Sequence, residues 1–331
     1  MMKSGKGAIR ISSLNDITPF LTFLIIVIFF GVATQGKIFT PNNLRILTDQ
    51  SITTLVAGLG MIFVIAMGGT DITAGGIVVT AGYASYILGC QYGVGVAFAV
   101  AIAIGLASGV IIGVVNARFK VSSFMATLAL GIIALRGVAS VIIDSYKAEI
   151  IITPEYAALN TFPIKLPIVG VLLLIVLYVF HYTSFGYHCR AIGENEVAVK
   201  YAGINVTRTK IIAFIISGVM AGFSAIFTVS RASGVQSSLG TGFEMNIMIA
   251  IFVAGVPVSG GMGAKIYKLF LGAFSLLVLQ NGMMMLGLSG AVIQGVRGVI
   301  LLAIVYLSVM LNEKGAGGLT LWQPKRDKHA A

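Results

Sequence analysis

Apolar residues run along this chain in unbroken stretches of about twenty, each closed by a short polar break, and within most stretches no side is reserved for polar residues. A helix that is apolar all round suits lipid or the middle of a large bundle, and about 20 such residues cross a bilayer core about 30 Å thick. Ten runs meet this description, over 18–35, 51–68, 72–90, 93–116, 121–143, 166–183, 210–231, 244–262, 266–287 and 290–311. They predict an all-α, polytopic transmembrane helical bundle of about ten helices over 18–311, between an N-terminal segment 1–17 and a tail 312–331. Lys3, Lys6 and Arg10 before the first run mimic a signal peptide. No small-residue cleavage site leading into a soluble domain follows, so the run is read as a retained helix.

Composition agrees with this pattern. The 331 residues are 57% hydrophobic and 10% charged, with a mean hydropathy of +1.00, whereas soluble domains carry about 25% charged residues. Charge adds orientation. With ten crossings, one set of breaks holds Lys3, Lys6, Arg10, Arg118, Lys120, Arg190, Lys200, Arg208, Lys210, Lys265, Lys268, Lys314, Lys325, Arg326 and Lys328. The other set holds only Lys37, Arg45, Lys147, Lys165 and Arg231, with Arg136 and Arg297 inside helices. Basic loops resist translocation, which predicts both termini in the cytoplasm. The net charge of +11 is thereby explained by the lipid bilayer. No nucleic-acid partner is needed, because the basic residues are spread through short loops with little aromatic interleaving. Cys90 and Cys189 lack metal-ligand spacing and fall on opposite sides in this topology, which argues against a disulfide between them.

The 41 glycines predict close helix packing, since helices in lipid associate through small residues that let backbones approach. Gly105, Gly109 and Gly113 recur every fourth residue on the fourth run, and Gly218 and Gly222 do so on the seventh. Packing of this kind fits channels, transporters and membrane enzymes alike.

Polar segments discriminate further. The long break 184–210 contains a predicted short helix, with Asn195 as N-cap, Glu194 and Glu196 near the positive end of its dipole, Val197, Ala198 and Tyr201 as an apolar strip, and Gly203 as the stop. Such a helix on the cytoplasmic face can dock into a partner's cleft or rest on lipid headgroups. Asp71 follows two glycines and precedes a helix, so its carboxylate is either a cap for free backbone N–H groups or a contact for solute or gate. Glu244 starts the eighth run and reads as a dipole partner or docking charge. Arg136 and Arg297 must snorkel, pair with a carboxylate or line a passage, because a charge at membrane depth costs about 2.5–3.5 kcal/mol on insertion scales. Gln280, Asn281 and Gln294 can bond solute hydroxyls or other helices. The stretch Gly31-Val-Ala-Thr-Gln-Gly36-Lys37-Ile38 follows P-loop spacing until its last position, where isoleucine cannot ligate magnesium.

Three segments carry a resemblance. Ala191-Ile-Gly-Glu-Asn-Glu-Val-Ala-Val-Lys-Tyr-Ala-Gly-Ile-Asn-Val206 resembles the coupling segment of ribose-type sugar ABC-importer permeases, which meets the ATPase in that family. Gly68-Gly-Thr-Asp71-Ile-Thr-Ala-Gly-Gly76 resembles its glycine-glycine-x-aspartate-leucine-serine-x-glycine signature. Val253-Ala-Gly-Val-Pro-Val-Ser-Gly260-Gly-Met-Gly263 is similar to its glycine-rich segment, with Val256-Pro257 in place of Gly-Thr and Met262 in place of a polar residue. The likeness covers about residues 40–312. It implies a permease subunit of the bacterial inner membrane that passes a monosaccharide or related polyol delivered by an extracytoplasmic binding protein. It also implies a separate ABC ATPase, which holds ATP and magnesium while this chain holds no cofactor, and a second permease copy, identical or similar. Glu194, Asn195, Glu196, Ala198 and Gly203 are then the expected ATPase-coupling residues. Gly69, Asp71, Thr73 and Asn281 are the expected translocation path or gate. An ion-coupled secondary transporter is the alternative, but it would normally carry intramembrane carboxylates or histidines, and Asp71 is the sole candidate. A membrane enzyme fits less well, since His181, His188 and His329 show no metal spacing and no nucleophile motif stands out.

Overall fold

The computed structural model describes residues 11–146, 153–232 and 239–316, which form helices joined by turns. Helix α1 spans Ile11–Ala33, a 3-10 turn covers Lys37–Phe39, and α2 (Pro41–Ala66), α3 (Ala74–Tyr92) and α4 (Val94–Phe119) follow. A broken helix comes next, made of α5 (Ser123–Leu128), a π-helical stretch Ala129–Leu135 and α6 (Arg136–Tyr146). The rest of the chain forms α7 (Pro154–Ala158), α8 (Phe162–Tyr182), α9 (Ser184–Tyr201), α10 (Val206–Ala232), α11 (Phe243–Val253), α12 (Ile266–Met285) and α13 (Gly290–Ala316).

Each of the ten expected runs overlaps a described helix, the eighth only over its first half. Six of the described helices are long and apolar enough to cross a membrane, namely α2, α4, the broken α5–α6 helix, α8, α10 and α12, while α1, α11 and α13 contribute shorter apolar stretches. Helix α3, with its glycines, tyrosines and serine, is less apolar and is largely covered by protein.

Several boundaries differ from expectation, and three of them have a clear local reason. The second helix begins ten residues early, at Pro41, which occupies the first helical position and whose fixed φ suits it. Its added turns are polar, and an apolar-run criterion cannot see them. The eighth run stops at Val253, because Gly255, Gly260 and Gly261 adopt φ of 70°, 78° and 89° and Pro257 has no N–H to continue a helix. Lys165, expected in an outer loop, lies in the first turn of α8, fully buried and ion-paired with Asp49, with Asn160 Oδ1 2.9 Å from its Nζ. Burial of the stem and pairing of the head make a helical site tolerable for that charge.

Helix α2 is the axis of the bundle, with residues 51–66 buried throughout. Helix α10 lies along α2 and α4, and the small-residue surfaces expected on the fourth and seventh runs face one another there. A Cβ on Gly109 would stand 2.5 Å from the Phe214 carbonyl oxygen, and one on Gly113 would stand 2.9 Å from Ile211 Cα; Gly105 and Gly218 touch backbone to backbone. On the α2 side, Ser224 Oγ donates to the Thr53 carbonyl at 2.8 Å. Side chains such as Phe29 and Val32 on α1 and Leu174 and Tyr178 on α8 point outward, as lipid-facing residues do. Cys90 and Cys189 are free thiols.

Candidate functional site

The site begins with α9. Thr183 caps it, its Oγ1 accepting from Gly186 N at 3.5 Å, and the helix kinks at Asn195, whose extended backbone (φ −159°, ψ 97°) breaks the hydrogen-bond ladder. Asn195 then starts the last turns of the helix, its Oδ1 accepting from Ala198 N at 3.0 Å as the expected N-cap. Gly203, at φ 81°, ends the element in the left-handed conformation glycine accepts without strain. Val197, Ala198 and Tyr201 are exposed, Tyr201 at 88%, so the expected apolar strip has no cover among the described residues. Glu196 pairs with Lys210 at 2.8 Å, tying the strip to the start of α10. Beside it opens a cavity of about 700 Å³ lined by residues including Asn116, Lys120, Lys200 and Asn205.

Upstream of the kink, the segment turns inward. Glu194 Oε1 accepts the Met262 backbone N–H at 2.8 Å. Gly193 packs against the Ala66 carbonyl oxygen and Gly261 N so tightly that any Cβ there would clash. Gly261 N donates in turn to the Ala66 carbonyl at 2.9 Å, and a Cβ on Gly68 would lie 2.8 Å from the Ser259 carbonyl oxygen. The three segments singled out in the sequence therefore meet at one place: the end of α2, the loop after α11 and the bend of α9 share backbone contacts.

The turn after α2 leads to Asp71, which is 2% exposed. Its Oδ1 accepts from Thr73 N at 2.9 Å and from the Thr73 hydroxyl, while Oδ2 accepts from Ser217 Oγ at 2.6 Å. The carboxylate thus pins the start of α3 to the middle of α10. Gly69 lies in the same turn, and the next residue, Thr70, donates its N–H to Ser123 Oγ at 3.1 Å. Asn281 is elsewhere. It is half-buried fifteen residues into α12, about 22 Å along that helix from its first residue. Ser217 and Ser123 escaped the sequence reading, since a serine within a mostly apolar run carries no pattern to mark it.

A second polar cluster surrounds α11. Arg136 Nη2 donates to the Gly240 carbonyl at 2.8 Å and stands 3.9 Å from Glu244 Oε2, while Nη1 donates to Thr241 Oγ1 at 3.2 Å. Of the roles weighed for Arg136, the structure shows pairing with a carboxylate. Arg297 Nη1 donates to Asn246 Oδ1 at 2.5 Å, and Gln280 Nε2 does so at 3.5 Å.

Among the described residues the chain is all-helical, with several helices long and apolar enough to cross a membrane and a kinked polar segment braced onto two loops, which makes it a multi-pass membrane protein. The family model described as the branched-chain amino acid transport system / permease component matches residues 43–305. The chain belongs to that family of transporter permease components, which are transport subunits rather than enzymes. It is 32% identical over 303 residues to the ribose import permease protein RbsC of Escherichia coli K12, covering 89% of this chain and 92% of that one. It is 31% identical over 313 residues to the L-arabinose transport system permease protein AraH of the same strain, covering 91% and 94%. The RbsC protein of Haemophilus influenzae is 26% identical over 324 residues, covering 95% and 99%. No solved structure gives a significant match.

Proposed function

We propose that this chain is the membrane-spanning subunit of an ATP-driven importer of the bacterial inner membrane, and that it passes a pentose or related monosaccharide received from an extracytoplasmic binding protein. Its last α9 turns, with Val197, Ala198 and Tyr201 outward, seat in a cleft of a separate ABC ATPase that holds ATP and magnesium; this chain needs no cofactor of its own. Two such permeases work together, one for each ATPase of the pair. The chain crosses the membrane about ten times, with both termini and α9 in the cytoplasm.

The observation that carries the reading is the brace between Glu194 and the Met262 backbone. A push on α9 reaches the end of α2 and the loop after α11 through the Glu194 side chain and the close packing of Gly193 on Ala66 and Gly261, and Asp71 passes it on to α3 and α10. Similarity along nearly the whole of the ribose and arabinose permeases supports the sugar and favours ATP as the energy source over the ion-coupled alternative. Gly69, Asp71 and Thr73 are gate-positioning residues in this scheme, and Asn281 is a path residue on α12.

The test is uptake of ribose and arabinose into proteoliposomes with and without the ATPase. Uptake should require the ATPase. Tyr201→Asp, on an exposed surface, should abolish uptake and ATPase co-purification together while leaving the permease folded. Uptake that persists without ATPase and collapses with an uncoupler would overturn the reading.

A further inference from the structure

Helix α11 has 11 residues, about 16 Å of rise, roughly half the thickness of a bilayer core. Half-length helices in transporters open their N-termini, with free N–H groups and positive dipole ends, toward the interior of the bundle. The N-terminus of α11 is placed there by Gly75 in the first turn of α3. A Cβ on Gly75 would collide with Glu244 Oε2 and the Gly240 carbonyl and would lie 3.1 Å from Arg136 Nη2. Only glycine lets the loop before α11, the carboxylate and the guanidinium converge at this point.

The convergence is incomplete. Glu244 is 6% exposed, yet its Oε2 is buried with no hydrogen-bond partner among the described residues. A buried carboxylate oxygen left without a donor is costly, so native structures seldom keep one without use. Arg136 Nη2 bears two N–H groups and spends one on Gly240, and the Arg136 side chain is 23% exposed against 7% for Glu244, so the pair is approached from its guanidinium side. The 3.9 Å separation of Nη2 and Oε2 is too long for a direct hydrogen bond. It does admit one oxygen at about 2.8 Å from both atoms, accepting from the guanidinium and donating to the carboxylate. Alcohol hydroxyls do both at once.

We propose that Arg136 and Glu244 form a solute-contact point inside the permease, which takes one hydroxyl group of the transported polyol as a bridge between guanidinium and carboxylate. The proposal rests on the sugar-importer reading. Water fills the same bridge between transport events, and exchange of water for a sugar hydroxyl makes the contact weak enough to release the solute onward.

The experiment pairs a variant with a missing hydroxyl. Glu244→Gln keeps the side-chain volume and removes the charged acceptor, and Arg136→Lys keeps the charge and removes the fork. ATP-driven uptake into proteoliposomes holding the whole complex is measured for D-ribose, L-arabinose and the monodeoxy forms of whichever is carried. For each sugar the ratio of variant to wild type is taken, so that any change in delivery by the binding protein cancels. Either variant should lower uptake of the parent sugar roughly tenfold and leave one particular monodeoxy form within about twofold of wild type, since that form has no hydroxyl to lose. An equal loss for the parent and every deoxy form, or no loss at all, would overturn the contact point. Wild-type uptake that needs no ATP sinks the importer reading instead, and the variant ratios are read separately from it.

Discussion

Asp71 and Lys165 show how single residues are held in this protein. Asp71 is surrounded by donors, with the Thr73 N–H, its hydroxyl and the Ser217 hydroxyl all directed at the carboxylate. Asp71→Ala strands these donors in a dry interior, at about 1–3 kcal/mol for each unpaired group. The expected result is a clear fall in thermal stability in detergent, with a smaller fall in Asp71→Asn, which keeps one acceptor. Equal melting of Asp71→Ala and wild type would contradict the pinning of α3 to α10. Lys165 and Asp49 behave as a pair. Removing one partner, as in Lys165→Met, should cost about 3–5 kcal/mol, and the double variant Lys165→Met/Asp49→Leu should regain most of it, since burial of an ion pair is itself expensive. Thermal melts of the two single variants and the double variant measure this directly. Of these residues the sequence marked Asp71 through its glycine-rich surroundings, and it offered capping and contact as alternatives. The Asp71 Oδ1 bond from the Thr73 N–H is of the capping kind, whereas those from the Thr73 and Ser217 hydroxyls join side chain to side chain. The bond to Ser217 could not be foreseen, because the two residues are far apart in sequence and their approach depends on how α10 crosses α3.

Helices in this bundle are held by the absence of side chains as much as by their presence. Gly105, Gly109, Gly113, Gly218 and Gly222 bring α4 and α10 into backbone contact. Gly218→Leu must push the helices apart, so it should abolish recovery of monodisperse protein. Gly170 on α8 has open space around its Cβ, and Gly170→Ala should be neutral or stabilise by about 0.5–1 kcal/mol through higher helix propensity. Comparing the yield of monodisperse protein for the two variants, with a thermal melt of Gly170→Ala against wild type, separates a packing glycine from a bystander. Spacing every fourth residue was visible in the sequence and marked a packing face on each helix; that the two faces meet is seen only in the structure. The half-length of α11 was not visible, because its apolar run continues past the point where positive-φ glycines turn the chain.

For the whole molecule, the decisive matter is which end faces the cytoplasm. Tyr201 in α9 and Tyr92 at the end of α3 are both exposed and belong to breaks assigned to opposite sides. Burial pushes the Cys189 thiol up to about 12, which keeps it protonated and unreactive, so a Cys90→Ser background serves for labelling. In that background Tyr201→Cys should react with a membrane-impermeant maleimide only in inside-out vesicles, and Tyr92→Cys only in right-side-out ones. The reverse result would invert the topology and remove α9 from reach of any cytoplasmic ATPase.

Sequence by itself determined the helical, membrane-embedded character of the chain, the approximate place of each apolar run, the small-residue faces of the fourth and seventh runs, and the cap and stop of the last turns of α9. These follow from local rules: the apolar length a bilayer demands, the spacing that puts residues on one helical face, and the conformations that asparagine and glycine adopt at helix ends. Only the tertiary structure decided that the three glycine-bearing segments meet, that Glu194 braces α9 to Met262, and that Arg136 and Glu244 stand one hydroxyl apart. Those facts depend on helix crossing and on loops re-entering the bundle, and contacts between residues so distant along the chain leave no periodic trace in it.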